Sequence, residues 1–334
     1  MNRRPTTTLT VLALSLTLTG CLAGEDAAPT TGRADTLRLD YAHYNVAALV
    51  VRDQGWLEED LDVDVEWVLS EGSNKANENL RARTIDIGST AGTPALLARA
   101  NGTPLKVVDV YSRPEWSAIV VPADSDIEAP ADLAGATVAA TSGTDPYFFL
   151  LQTLDGAGID IGDIDYADLQ HADGRTALEN GDVDAWAGLD PHMAASELES
   201  GSRLIHRDLA LNSFGTLNAD EDFIASEPAL VQAVVDAYER ARSWITDHPD
   251  AAVDLLAEEA GIDPGIAALQ LTERTHLDND PVPGDELHGT LERILPYLVD
   301  NGLVRSEEEA TAALETLFDP TFARNAADGG GEDG

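Results

Sequence analysis

From Leu37 onward, strand-like and helix-like segments alternate for about 170 residues, which restricts the chain to parallel strands covered by helices. Residues 37–41 alternate apolar and polar positions. Asn45 can then cap a helix whose apolar positions include Leu49, Val50 and Leu57. Residues 62–69 read as a second strand, and Ser73 as the cap of a helix running to Arg83. Ile85 and Ile87 flank Asp86 in a third strand. Residues 88–93 read as a polar turn, with Thr93-Pro94 as cap and first helical residue. Apolar, β-rich runs at 105–111 and 117–121 follow, joined by a turn at 113–116.

A second series starts with a helical turn at 131–135. Strands at 136–140, 164–169 and 183–187 alternate with helices at 147–154 and 173–179 and one from Asp190-Pro191 to 199. Two series predict an α/β fold of two doubly wound lobes, connected near 119–122 and again through 211–218. From residue 226 the pattern is helical, with amphipathic segments at 226–246, 249–260, 264–275, 285–300 and 306–318 expected to pack back on the first lobe. The organisation read from the sequence is lobe 1 at 37–120 with 216–322, lobe 2 at 121–215, and a Gly- and acid-rich disordered tail at 323–334.

The charge narrows the possible partners. Against 61 Asp+Glu stand 20 Lys+Arg, a formal net charge of -41. No basic footprint for nucleic acid exists, and the acidity is spread along the chain as a solvated surface. At the N-terminus, Arg3 and Arg4 precede an apolar run at 9–18 that is too short to span a bilayer. Residues 1–20 therefore read as a signal peptide. Leu18-Thr19-Gly20 leads into Cys21, the only cysteine. This arrangement resembles a lipobox and would make Cys21 the lipidated residue, with 21–36 a flexible tether to the membrane.

Motifs for catalysis are absent. The sequence has no G-x-S-x-G elbow, P-loop or GxGxxG, and the seven histidines show no metal-ligand spacing. They read as exposed or capping residues, and no metal or cofactor is expected. What recurs is a helix start preceded by small hydroxyl-bearing or acidic residues and opened by proline, at 89–94, 141–146 and 188–191. Turns after parallel strands lie on one sheet edge, where helix N-termini offer free N–H donors, so facing turns would clamp an anion. Trp186 lies two residues before one of these turns and is a candidate cleft residue.

The lipobox, residues 84–90 (Thr-Ile-Asp-Ile-Gly-Ser-Thr), 181–187 (Gly-Asp-Val-Asp-Ala-Trp-Ala) with Asp190-Pro191, and the segments 131–135 and 173–175 resemble alkanesulfonate-binding proteins. These are the extracytoplasmic receptors of ATP-driven sulfonate, taurine and nitrate importers, and the resemblance spans residues 37–322. It implies the type II periplasmic binding protein fold, with two crossover strands joining the lobes, no enzymatic activity, and a monomer that delivers its ligand to ABC permease subunits. By match of motif, Ser89, Thr90 and Ala91 would meet the anionic head, with Ser142, Gly143 and Thr144 opposite. Trp186 and Asp190 would flank the cleft, and Tyr41, Tyr44, Glu71, Gly72 and Ser112 would line it from other turns. An aliphatic sulfonate is the ligand this resemblance favours. Taurine, nitrate or a pyrimidine-type heterocycle is the alternative, and an enzyme of the pyrimidine-precursor type on the same fold is the rival from another class. Asp145 and Asp190 fit an anion site only if each is turned away to cap its helix or meets an ammonium on the ligand.

Overall fold

The computed structural model describes residues 35–329. The signal peptide, Cys21 and nearly all of the tether expected from the sequence lie outside the described residues. Among the described residues, ten strands form two five-stranded mixed sheets: β1 Thr36–Tyr41, β2 Asp64–Leu69, β3 Ile87–Ala91, β4 Leu105–Ser112, β5 Ile119–Val121, β6 Thr137–Ala140, β7 Asp165–Asp168, β8 Ala185–Ala187, β9 Arg203–His206 and β10 Gly215–Asp220. The first sheet runs β2-β1-β3-β10-β4 and the second β7-β6-β8-β5-β9. In each, strands that follow one another through helices pair in parallel, β1 with β2 and β3, and β6 with β7 and β8. One strand in each sheet runs against this direction. β10 is antiparallel to β3 and β4, and β5 is antiparallel to β8 and β9.

These two antiparallel strands correct the connections read from the sequence. Residues 119–121 and 215–220 are sheet strands, and the chain passes between the sheets at residues 113–118 and 207–214. The first is an apolar run too short to show periodicity, and the second, Gly-Thr-Leu-Asn-Ala-Asp, carries too few apolar residues to separate a strand from a connection. The two passing segments are tied to each other. The Asn212 Oδ1 accepts from the Ser117 N–H at 2.9 Å, and Arg207 donates to both carboxylate oxygens of Glu115 at 2.8 Å.

The local chemistry of the elements follows the sequence. Asn45 caps the helix Val46–Gln54 by accepting from the Ala48 N–H at 3.2 Å, and Gly55 ends it with φ 64°. The helix Pro228–Asp247 opens on proline and lays Val231, Val234, Val235 and Tyr238 against Leu49, Val50 and Val108. Full burial of each aliphatic side chain contributes about 1.5–3 kcal/mol, so this one face anchors the C-terminal helices to the first sheet. The C-terminal helices also reach the second sheet's side. Ile266 packs on Ala194 and Ala195, and Leu298 and Val304 share a core with Phe148 and Leu150. The helix Thr321–Gly329 replaces the first part of the tail expected to be disordered, and Phe322 and Ala323 on it are buried.

Candidate functional site

The strand directions place the ends of β1, β2 and β3 opposite those of β6, β7 and β8, and a cavity of about 360 Å³ opens between them. Its walls are His43 and Tyr44 after β1, Leu69 at the end of β2 and Glu71 beyond it, Gln170 to Asp173 after β7, Leu189 to His192 after β8, and Ala260. Deeper in, Tyr44, Ser73, Ala91, Trp116, Thr144, Asp145, Pro146, His171 and Leu189 enclose a small recess of about 10 Å³. Three helices begin on these walls without a side-chain cap: Ser73–Ala82, Asp145–Gly156 and His171–Asn180. First-turn N–H groups left uncapped are donors for an anion. The helix Gly92–Ala100 differs, because its Gly92 N–H donates to the Phe214 carbonyl at 2.9 Å and its Thr93 N–H to Ser213 Oγ at 3.1 Å.

Of the residues singled out in the sequence, Tyr44, Glu71, Ala91, Thr144 and Asp190 line the cavity or its recess. Gly72 joins them as the N-cap of Ser73–Ala82, where an added Cβ would lie 2.9 Å from His171 Nε2. Gly143, at φ 73°, brings the opposite turn to within 4.0 Å of Asn74 Cβ, measured from the same kind of added atom. Thr144 donates its hydroxyl to the Thr141 carbonyl at 2.6 Å, so it shapes the recess rather than offering a free proton.

Other expectations are corrected. The polar turn expected at 88–93 is strand as far as Ala91, and the Ser89 and Thr90 side chains are wholly buried. Ser89 Oγ lies 3.2 Å from Asp40 Oδ1, and the Thr90 hydroxyl donates to the Ala91 carbonyl while accepting from Asn218 Nδ2, both at 2.8 Å. Trp186 is fully buried on the far face of the second sheet, packed with Val120, Leu178 and Met193 against Gly174, and does not reach the cleft. Ser142 is held to Asp168 and Tyr166, the Tyr41 ring lies under the Arg52 guanidinium at 4.2 Å, and Ser112 is buried opposite Gly215. None of these three is among the cavity's lining residues.

The two carboxylates that looked unsuited to an anion are both engaged. Asp190 Oδ1 accepts from the Ala194 N–H at 2.9 Å, capping its own helix, and from Arg274 at 3.0 Å. Burial holds the Asp190 carboxyl up at about 6 even against that guanidinium. Asp145 accepts from Trp116 Nε1 at 2.9 Å and from both the N–H and hydroxyl of Ser213 at 2.7 Å.

The comparisons with known proteins agree with this architecture. The family model described as NMT1/THI5 like matches residues 43–252. The chain belongs to the NMT1/THI5-like family. A relative from Escherichia coli (strain K12), named for binding aliphatic sulfonates, is 30% identical over 251 residues, covering 74% of this chain and 79% of the relative. The crystal structure of the periplasmic aliphatic sulphonate binding protein SsuA from Escherichia coli superposes with a TM-score of 0.75 at 27% identity, over 86% of this chain and 93% of that one. The alkanesulfonate-binding protein SsuA from Xanthomonas axonopodis pv. citri, bound to MOPS, shares the fold with a TM-score of 0.77 at 24% identity, covering 84% and 98%.

Within this member of the family, the cleft residues that sequence reasoning passed over include three histidines. His43, His171 and His192 all line the cavity. Each follows a strand by two to five residues, a position that could have marked them. Burial pushes His171 down to about 3 and His192 to about 4, and it lowers His43 as well, so all three are neutral near pH 7. Ser73 was read as a cap; its hydroxyl instead accepts from the Ala91 N–H at 3.0 Å and fixes the recess wall.

Proposed function

We propose that the chain is the solute receptor of an ABC importer and captures a small aliphatic sulfonate in the cavity between its two sheets. The observation that carries this reading is the cavity itself, bounded on both sides by turns that follow parallel strands. Uncapped helix starts contribute donors and no arginine or lysine is on the wall. A sulfonate is ionised at all physiological pH and accepts hydrogen bonds at three oxygens, so several N–H donors with their helix dipoles suit it. Ser73, Thr144 and Tyr44 position those donors in the recess, and Gly72 and Gly143 keep the approach open. The Escherichia coli relative at 30% identity supports the substrate class.

The reading is of a receptor and not an enzyme. The cleft's Asp145 and Asp190 are tied into the framework, and the Thr141 hydroxyl beside His171 is already committed to the Leu169 carbonyl at 2.7 Å. We propose also that lobe 1 comprises the first sheet with most of the C-terminal helices and lobe 2 the second sheet. Cys21 would carry the lipid that holds the receptor at the outer face of the cytoplasmic membrane beside its permease. Cys21→Ser is then expected to release the protein from the membrane fraction, and retention of that variant would remove the anchor.

Thermal unfolding tests the ligand claim. Ligand at about a hundred times its Kd adds about 2.7 kcal/mol of stability, a rise of several degrees in Tm. Alkanesulfonates are expected to give that rise while sulfate and nitrate give none. A rise with nitrate alone would overturn the sulfonate reading.

A further inference from the structure

We infer that capture of the anion is coupled to uptake of one proton on His171, whose imidazolium then supplies the positive charge that the cavity wall lacks. This rests on the sulfonate-receptor reading and concerns how that same site is regulated. The first observation is the geometry of the His171 ring. The residue is 2% exposed, and its Nε2 is buried without a hydrogen-bond partner, on the wall of both cavity and recess. The other ring nitrogen fixes the tautomer. Thr141 donates its only hydroxyl proton to the Leu169 carbonyl at 2.7 Å, so its contact with His171 Nδ1 at 3.1 Å requires the proton on Nδ1. In the neutral ring Nε2 is therefore a bare lone pair. A second proton there leaves the Thr141 contact intact and adds a donor. That donor lies against Gly72, the N-cap of Ser73–Ala82, where an added Cβ would stand 2.9 Å from Nε2. An anion held at this uncapped helix start comes within reach of the ring.

The second observation is the charge of the wall. Glu71, Asp173 and Asp190 line the cavity, and no lysine or arginine does. Arg274 is paired with Asp190 and Glu197, and Lys75, at the start of Ser73–Ala82, is paired with Glu78 on the surface. An anion entering alone would meet the carboxylates of Glu71 and Asp173 with only helix N-termini to hold it. The other groups around the ring are committed. Asp145 accepts from Trp116 and Ser213, and Tyr44 donates to the Ser89 carbonyl at 2.9 Å. His192, across the cavity, opposes a second positive charge. In the empty cleft, burial and His192 hold His171 near 3 and neutral. A sulfonate oxygen at hydrogen-bond distance from Nε2, shut away from solvent, raises the ring's proton affinity. Linkage then makes the ligand bind more tightly as pH falls, by up to about tenfold per pH unit while one proton enters with each ligand. The sulfonate stays ionised throughout, so the proton comes from solvent and returns to it on release.

Calorimetric titration of the full chain with propane-1-sulfonate from about pH 7.5 down to about pH 5.5, in buffers that contain no sulfonate, tests this. Affinity is expected to rise severalfold or more across that range. At the acid end, acetate and bis-tris, whose heats of ionisation differ, are expected to report uptake of close to one proton per ligand. His171→Gln keeps an N–H donor and cannot titrate, so it is expected to abolish both the pH dependence and most of the uptake. Glu71→Gln and Asp173→Asn are expected to shift affinity while leaving the uptake near one proton. If His171→Gln does not fold, as judged by circular dichroism, nitrogen-15 spectra of the imidazoles in the native chain decide. Saturating ligand should turn a neutral, Nδ1-protonated ring into a cation, and no such change overturns the assignment. Affinity that is flat or falls with falling pH overturns the coupling while leaving the sulfonate receptor standing. Uptake that survives His171→Gln overturns the role of this ring. No binding at any pH overturns both readings.

Discussion

Asp40 sits at the end of β1 with 1% of its surface exposed, and its Oδ1 takes the Ser89 N–H at 2.7 Å and the Ser89 hydroxyl. Burial raises its carboxyl to about 7, opposed by those bonds to Ser89 and one to Ser70. A carboxyl raised in the folded state keeps its proton after the unfolded chain has lost it. Its contribution to stability is therefore greatest below about pH 4 and is lost as pH rises to about 7. Asp40→Asn cannot titrate. The unfolding free energy of the native chain relative to this variant is expected to fall by up to about 4 kcal/mol between pH 4 and pH 8. A pH-independent difference in urea titrations would contradict the assignment. The comparison must be made against the variant, because His171 acts with opposite sign: its lowered pKa removes stability as pH falls below about 6.5. Arg274 gives a second residue-scale prediction. Arg274→Met leaves the buried Asp190 without its cation and is expected to cost about 3–5 kcal/mol in denaturant unfolding. Neither role was legible from the sequence. Arg274 lies 84 residues from Asp190, and nothing in a helical pattern says which arginine turns inward.

At the scale of elements, glycines report how closely the pieces pass. An added Cβ at Gly174 would stand 2.6 Å from the Trp186 indole nitrogen. Gly174→Ala is therefore expected to lower stability by about 1–3 kcal/mol with ligand affinity unchanged. Gly72→Ala is expected to affect both. Its φ of -174° suits any residue, but the methyl would stand 2.8 Å from Asn74 Oδ1 and 2.9 Å from the buried His171 Nε2, so it should weaken ligand binding at least tenfold and also lower Tm. Parallel binding and unfolding measurements on the two variants check the pair. The parallel strands were legible because capped amphipathic helices separate them, and Asn45 and Ser73 marked two helix starts to within a residue. β5 was read as a β-rich run without its antiparallel direction, β10 was read as a connection, and β9 was missed. A strand of three to six residues carries too little pattern to declare its direction or even its existence. The same limit misplaced Ser89 and Thr90. Gly, Ser and Thr in succession suit a turn, and only pairing with β10 on one side shows that they continue the strand.

On the scale of the whole molecule, the two sheets, the two passing segments and the C-terminal helices hold one cavity at a fixed place in the chain's topology. That place was readable in advance, since turns after parallel strands gather at one edge. The turn at 188–191 was marked by its proline-opened helix start, but most other side chains on the wall were not, because the turn at 170–173 carries no such motif. The net charge of -41 sets long-range repulsion for any anion, yet over the Debye length of about 8 Å at physiological salt this affects approach more than bound contacts. Direct isothermal titration of the full chain with a series of aliphatic sulfonates, with and without an amine, tests the central claim. The account predicts one site per chain, with a Kd in the micromolar range or below for at least one sulfonate, about -8 kcal/mol or better. No heat and no saturation with any sulfonate, under conditions where the protein is folded, would contradict it.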